Sequence, residues 1–184
     1  MSTPQRILLI SGSTRDTSTN TAALRTIADL APAEIEARLY DGLVGLPAFI
    51  PGDQAAPAAV AALRAEIGAA DAVLICAPEY AGMIPGSLKN LLEWTVGTGD
   101  LYGKPVAWIN VAHEGRGDAA VATLRTVLGY VGADIAEAAC GRITVLRDMV
   151  GADGTVADPS VRERLAIALT ALAEHASIAE PSEI

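Results

Sequence analysis

Ile7-Leu-Leu-Ile-Ser-Gly-Ser-Thr-Arg-Asp-Thr-Ser-Thr-Asn20 is the stretch on which the fold turns. Four apolar residues, Ile7 to Ile10, stop at Ser11-Gly12, as a strand covered on both faces does. A hydroxyl-rich segment follows. From about Asn20 to Ala31 the apolar spacing is helical, and Pro32 closes the pattern. The same change of period recurs downstream. Ala72-Val-Leu-Ile-Cys-Ala77 reads as a second buried strand ended by Pro78, with a helix over Gly86 to Val96. Pro105 to Val111 is a third, followed by a glycine-rich loop and a helix from about Asp118 to Val131. Glu34 to Tyr40 alternates apolar with charged residues, the period of a half-buried strand. Residues 41–56 carry Gly42, Gly45, Pro47, Pro51 and Gly52 and read as a long irregular loop, after which Pro57 starts the first turn of a helix reaching about Ile67. A weaker strand lies near Asp134–Ile143, and Pro159 opens a last helix to about Ala176.

Strands alternating with helices imply a parallel sheet, because parallel neighbours need a crossover and the helix supplies it. The expected fold is α/β: a flavodoxin-like three-layer sandwich, with a five-stranded parallel sheet in order 2-1-3-4-5 and helices on both faces. Residues 1–178 read as a single domain and 179–184 as a short polar tail. With 184 residues, 51% of them hydrophobic, the chain has enough apolar surface for a core, which argues against disorder. The 13 Lys and Arg stand against 22 Asp and Glu, a net charge of −9. Neither nucleic acid nor an anionic membrane surface suits that balance. No signal peptide is apparent, and no apolar run approaches the roughly 18–20 residues of a membrane span. Two Cys, at 76 and 140, make no disulfide framework, so a cytoplasmic setting is expected.

In open sheets of this order, ligands bind beyond the carboxyl ends of the strands, where the strand order reverses. The segment after the first strand has six Ser/Thr hydroxyls before Asn20, one Arg, and the amides that begin a helix. Hydroxyls, amides and a guanidinium suit a phosphate dianion. With Gly12 as its only glycine and no Gly-Lys-Ser/Thr, the segment is neither a dinucleotide fingerprint nor a Walker loop. It also reads as an ordinary helix cap. After the second apolar strand comes Pro78-Glu-Tyr-Ala-Gly-Met-Ile-Pro-Gly-Ser-Leu-Lys-Asn90, where two prolines and two glycines define the path. Fixed amides there would read the polar edge of a flat heterocycle, with Tyr80, Met83 and Ile84 offering apolar surface. A structural turn is the competing reading. Lys89 and Glu93 are spaced to pair on the helix surface.

With these two segments on the page, the chain resembles the NADPH-dependent FMN reductase family, a flavodoxin-like group that includes quinone, chromate and azo-dye reductases. The family's phosphate loop is matched by Gly12, Ser13, Arg15, Ser18 and Asn20, and its flavin loop by Pro78, Glu79, Tyr80, Pro85, Gly86, Leu88, Lys89 and Asn90. The likeness continues through Gly103-Lys-Pro-Val106 and Leu128-Gly-Tyr-Val-Gly-Ala133. It implies an oxidoreductase that passes electrons from NADPH or NADH, through bound FMN, to a quinone, flavin or similar small acceptor. The cofactor carries that chemistry, so no catalytic side chain is assigned. The implied phosphate group is Ser13, Arg15, Ser18, Thr19, Asn20 and Thr21, and the implied ring-side group is Pro78, Glu79, Tyr80, Ala81, Gly82 and Met83. In the family the loop Val111-Ala-His-Glu-Gly-Arg-Gly-Asp118 borders the flavin, which adds His113 and Arg116, with Glu114 between them; charges carried only for solubility are the alternative. Ala81 stands where the family usually has Asn, and Met83 where it has Ser, so two hydrogen-bonding side chains are missing there. Glu93 replaces a common Asp.

Homodimers or homotetramers are common in the family, and Leu91, Leu92 and Trp94 are candidates for such an interface. Cys76 and Cys140 read as packing thiols, Trp94 and Trp108 as core or subunit interface, and His175 as solvated. Two histidines leave little material for a catalytic triad or a zinc site. Two other functions fit the residues: a flavodoxin-like electron carrier docking through its acidic surface, and a flavin-free binding or regulatory protein. Arg15 and the lack of an aromatic platform flanking the ring argue against the carrier.

Overall fold

A computed structural model describes residues 3–52 and 55–178, so the expected tail at 179–184 lies outside the described residues. The central strands are β1 (Gln5–Ser11), β3 (Ala72–Cys76) and β4 (Pro105–Asn110), with β2 (Ile35–Tyr40) on the outer side of β1. All pair in parallel, in the order β2-β1-β3-β4 followed by β5 (Asp134–Ile135), which is the flavodoxin-like arrangement. Alternate residues of each central strand go to opposite faces. Ile7, Leu9, Leu74, Cys76, Ala107 and Ile109 join the core beneath α1 (Thr19–Leu30) and α5 (Pro159–Ile178). Leu8, Ile10, Val73, Ile75, Val106 and Trp108 join the one beneath α2 (Ala58–Ala69), α3 (Gly86–Val96) and α4 (Asp118–Tyr130). Two full cores on one sheet explain why these strands read as unbroken apolar runs. β2 has a single strand neighbour, keeps its alternation and exposes Glu36 and Arg38.

The fifth strand departs from expectation. Its position is held by two short pieces, β5 (Asp134–Ile135) against Pro105 and Val106, and β6 (Gly141–Arg142) against Ile109 and Asn110. A 3-10 turn over Glu137–Ala139 separates them. Glu137-Ala-Ala139 has little preference for extended backbone, while buried Ala136 and Ala139 anchor the turn in the core. The sheet is therefore six-stranded by pairing, with its last position divided. Two smaller differences lie upstream: a 3-10 turn at Leu43–Gly45 interrupts the loop, and Pro57 is the N-cap residue of α2 rather than in its first turn. Among the described residues no helix is long and apolar enough to cross a membrane.

His175 is not free in solvent: its Nε2 lies 2.8 Å from Asp134 Oδ2 and ties α5 to β5. Leu91, Leu92 and Trp94 are packed inside the protomer and offer no surface to a partner. Trp94 Nε1 donates to the Pro47 carbonyl at 2.9 Å, and Phe49 meets the indole edge-on with ring centroids 5.0 Å apart. The Trp108 indole is likewise core, with the Arg125 guanidinium 5.1 Å from its centroid.

Candidate active site at the strand carboxyl ends

The strand order reverses between β1 and β3. There the Gly12 N–H donates to the Cys76 carbonyl at 2.8 Å. A Cβ on Gly12 would lie 2.7 Å from Ala77 Cβ and 3.0 Å from Leu88 Cδ2, so the first loop leaves the sheet at a point only glycine fits. The loop divides into an inner and an outer set. Ser18 caps α1, its Oγ accepting from the Asn20 N–H at 3.2 Å. Asn20 Oδ1 accepts the Cys76 thiol at 3.3 Å, and the Thr21 hydroxyl meets Ser11 Oγ at 2.8 Å. These three expected phosphate residues are buried and hold the loop to the strand ends. Ser13 and Thr19 are half-buried, and Ser13 Oγ accepts from the Arg15 N–H at 3.3 Å. Thr14, Arg15 and Thr17 are exposed, and Arg15 pairs with no carboxylate among the described residues. The helix-head amides, the outer hydroxyls and this cation together form an anion-accepting rim. Cys76 below it is a packing thiol whose ionisation burial suppresses.

The second loop closes on itself. Tyr80 and Met83 exchange two backbone hydrogen bonds, 3.0 and 3.1 Å, around Ala81 at φ +51 and Gly82 at φ +75. Two successive left-handed residues make the tight turn that favours Asn-Gly. Ala81 is the one non-glycine at positive φ among the described residues, so the missing Asn costs backbone comfort as well as a hydrogen bond. Tyr80 and Met83 are 51% and 57% exposed. Ile84 is not: it is buried in the core. Asn90, matched to the flavin loop, serves another segment, accepting from the Phe49 N–H at 2.8 Å and donating to the Pro47 carbonyl at 2.9 Å. Lys89 and Glu93 pair at 2.6 Å on the surface of α3.

The third loop adjoins the second through Glu79. Its Oε2 accepts from the N–H groups of Ala119, at 3.1 Å, and Ala120, at 3.3 Å. Gly117, the N-cap of α4, has no side chain, so Glu79 does the capping from 40 residues away. His113, Glu114 and Arg116 are exposed on the loop. Two residues absent from the sequence reading hold it from beneath, Asn110 and Arg142. They are register partners on β4 and β6, and both donate to the Arg116 carbonyl, at 3.2 and 2.6 Å. Backbone carbonyls as partners leave no pattern in a sequence; the one signal is a basic residue near the end of the weak strand expected over Asp134–Ile143. A groove of about 600 Å³ lies away from these loops, between residues 47–52 and 55–57 and the end of α3.

Comparison with known proteins gives the family. The family model described as NADPH-dependent FMN reductase matches residues 5–140. An NAD(P)H-dependent FMN reductase of Pseudomonas aeruginosa is 33% identical over 178 residues, covering 94% of this chain and 95% of that protein. A quinone reductase of Escherichia coli is 35% identical over 111 residues, which is 58% of this chain and 59% of its own length. The alignment thus spans about three fifths of that enzyme. Among solved structures, the flavoenzyme NAD(P)H:(acceptor) oxidoreductase FerB of Paracoccus denitrificans superposes with a TM-score of 0.73 at 26% identity, covering 93% of this chain and 98% of FerB. The match runs from β1 to the turn that divides the fifth strand, and a relative aligns over nearly the whole length. The chain belongs to the NADPH-dependent FMN reductase family.

Proposed function

We propose that the protein is an FMN-dependent NAD(P)H oxidoreductase that passes electrons to a quinone, a free flavin or a similar small acceptor. The observation that carries this is the pairing, at the point of strand reversal, of a hydroxyl-rich helix head carrying a cation unpaired among the described residues with a closed left-handed turn on the neighbouring strand end. The donor set fits FMN: a dianion meets the Arg15 guanidinium, the hydroxyls of Ser13 and Thr19 and the first amides of α1. Ser18, Asn20 and Thr21 shape that loop through their own hydrogen bonds and present its amides. The turn at Pro78–Met83 lies across the neighbouring strand end, where its backbone would meet the polar edge of the ring and hold negative charge there. Tyr80 and Met83 would shelter the ring, and His113 and Arg116 stand on the loop where the donor or acceptor would enter. Bound FMN supplies the hydride acceptance and onward electron transfer. The chain's own work is to bind, orient and stabilise charge.

The reading takes residues 1–178 as one flavin-binding domain in a cytoplasmic setting, which two cysteines without a disulfide support. It also takes the protein to be a homodimer or homotetramer. With Leu91, Leu92 and Trp94 internal, exposed apolar residues elsewhere, Val96, Tyr102 and Tyr130 among them, are the groups left to support assembly. The test is the visible spectrum of the protein with FMN, followed by NADPH under nitrogen and then menadione. Bands that bleach with NADPH and return with menadione are expected. FMN that binds but accepts no electrons from NADPH or NADH would favour the carrier, and no binding with excess FMN would overturn the assignment.

A further inference from the structure

Arg142 closes β6, lies beyond the stretch matched by the family model and belongs to none of the sequence motifs. Its Nη1 nevertheless faces three backbone carbonyls of the third loop: Ala112 at 2.9 Å, His113 at 2.8 Å and Arg116 at 2.6 Å. Its Nη2 pairs with Asp118, the first residue of α4. The neighbouring Asn110 works in the same direction. Its Oδ1 accepts from the Ala112 N–H at 3.0 Å, and its amide lies where a Cβ on Gly117 would be, 2.5 Å from Oδ1. Gly115 at φ +73 and Gly117 at φ +81 let the backbone follow this path.

A trans peptide places its N–H opposite its carbonyl oxygen. Gathering the carbonyls of Ala112, His113 and Arg116 onto one guanidinium therefore turns the N–H groups of His113, Glu114 and Gly117 the other way. None of those three has an acceptor among the described residues. We propose that Arg142 is a positioning residue for the ring site: by collecting the carbonyls of Ala112, His113 and Arg116, it aims the amides of the exposed His113 and Glu114 at the rim, where they stabilise the more negative, reduced ring over the oxidised one. The inference rests on the flavin reading above. The Glu79 contact with the first turn of α4 ties the head of the third loop's helix to the Pro78–Met83 turn, so the two loops are neighbours. A lysine keeps the charge but lacks the planar fork that reaches three carbonyls and a carboxylate together. Glutamine loses both.

The experiment compares the full-length protein with Arg142→Lys and Arg142→Gln, titrating each with oxidised FMN and with dithionite-reduced FMN. The phosphate rim is untouched, so oxidised FMN is expected to bind within about threefold of the unsubstituted protein. Reduced FMN is expected to bind about tenfold more weakly to Arg142→Gln, with Arg142→Lys between. That tenfold ratio corresponds to a midpoint potential about 30 mV lower for a two-electron couple. Hydrogen exchange of the flavin-free protein supplies the second readout, with faster exchange expected across residues 111–118 and no change in β1 or β3. Equal weakening of both FMN forms, an unchanged ratio, or unchanged exchange in the loop overturns the proposal alone. Failure of the unsubstituted protein to bind either form overturns the flavin reading and the proposal with it.

Discussion

Replacing Ala81 by Asn should stabilise the protein, an uncommon direction for a single substitution at a candidate site. Ala81 sits at φ +51 as the first of two left-handed residues in the Tyr80–Met83 turn. An L-residue with a Cβ pays about 1–2 kcal/mol there, whereas Asn adopts the region several-fold more readily. Ala81 is exposed, so the larger side chain displaces no packed neighbour. The expected gain is about 0.5–1 kcal/mol, which for a chain of this length raises Tm by about 1–4 °C. Ala81→Gly relieves the same strain but loses about 0.5–1 kcal/mol to backbone entropy, so it should be near neutral. Ala81→Val, branched at Cβ, should be the least stable of the series. Thermal unfolding of the flavin-free protein, followed by circular dichroism and checked by urea midpoints, gives the ranking Asn above Gly and Ala, with Val last. A series in which Asn falls below Ala, or Val equals Ala, would refute the argument that backbone strain is stored at this position.

Three other substitutions probe separate parts of the site. Arg15→Ala removes a charge-assisted partner for the phosphate worth about 1.5–3 kcal/mol, so FMN should bind about 10- to 100-fold more weakly by fluorescence titration; equal affinity would remove Arg15 from the site. Glu79→Ala strips the N-terminus of α4 of its only side-chain acceptor among the described residues and should cost about 1 kcal/mol by urea unfolding, while Glu79→Gln keeps an acceptor oxygen and should cost less than half of that. Burial raises the Cys140 thiol to about 11 in the folded chain. Only the unfolded chain loses that proton between about pH 9 and 11, so stability should fall as pH rises, by up to about 1.4 kcal/mol per pH unit from this group. Cys140→Ala should flatten the decline, and an identical slope in both proteins would show that the thiol ionises equally in the two states.

What could be read in advance followed how local the cause was. Ile7–Ile10, Ala72–Cys76 and Pro105–Asn110 lie between two cores, and that double burial writes itself into consecutive residues. The bounds of α3, Gly86 to Val96, were equally legible from Pro85 and the glycine after Val96. The divided fifth strand was not, because Asp134–Ile143 mixes small residues with Glu137, and only the edge of β4 decides which of them pair. Burial also misled where one residue served two readings: Leu91, Leu92, Trp94 and Ile84 are apolar beside a candidate site, yet the protomer's own core claims them. At the site, the motifs located both loops but not what shapes them. The left-handed turn at Ala81 needs backbone angles, and the His175–Asp134 contact joins residues 41 apart. Arg142 reaches carbonyls 26 to 30 positions away, and a carbonyl looks the same at every residue.

The interrupted fifth strand also bears on how copies of this chain behave when crowded together. An uncovered sheet border is a ready template on which a second chain can stack, and long flat borders seed fibres. Here the β4 side ends in two pieces of two residues each, separated by a 3-10 turn. The opposite border, β2, carries Glu36 and Arg38, each held in an ion pair with a neighbouring element. Neither border offers an uninterrupted uncharged row of donors and acceptors. A sheet with three apolar central strands thus lacks an adhesive margin, and rebuilding residues 136–140 as continuous strand would restore one.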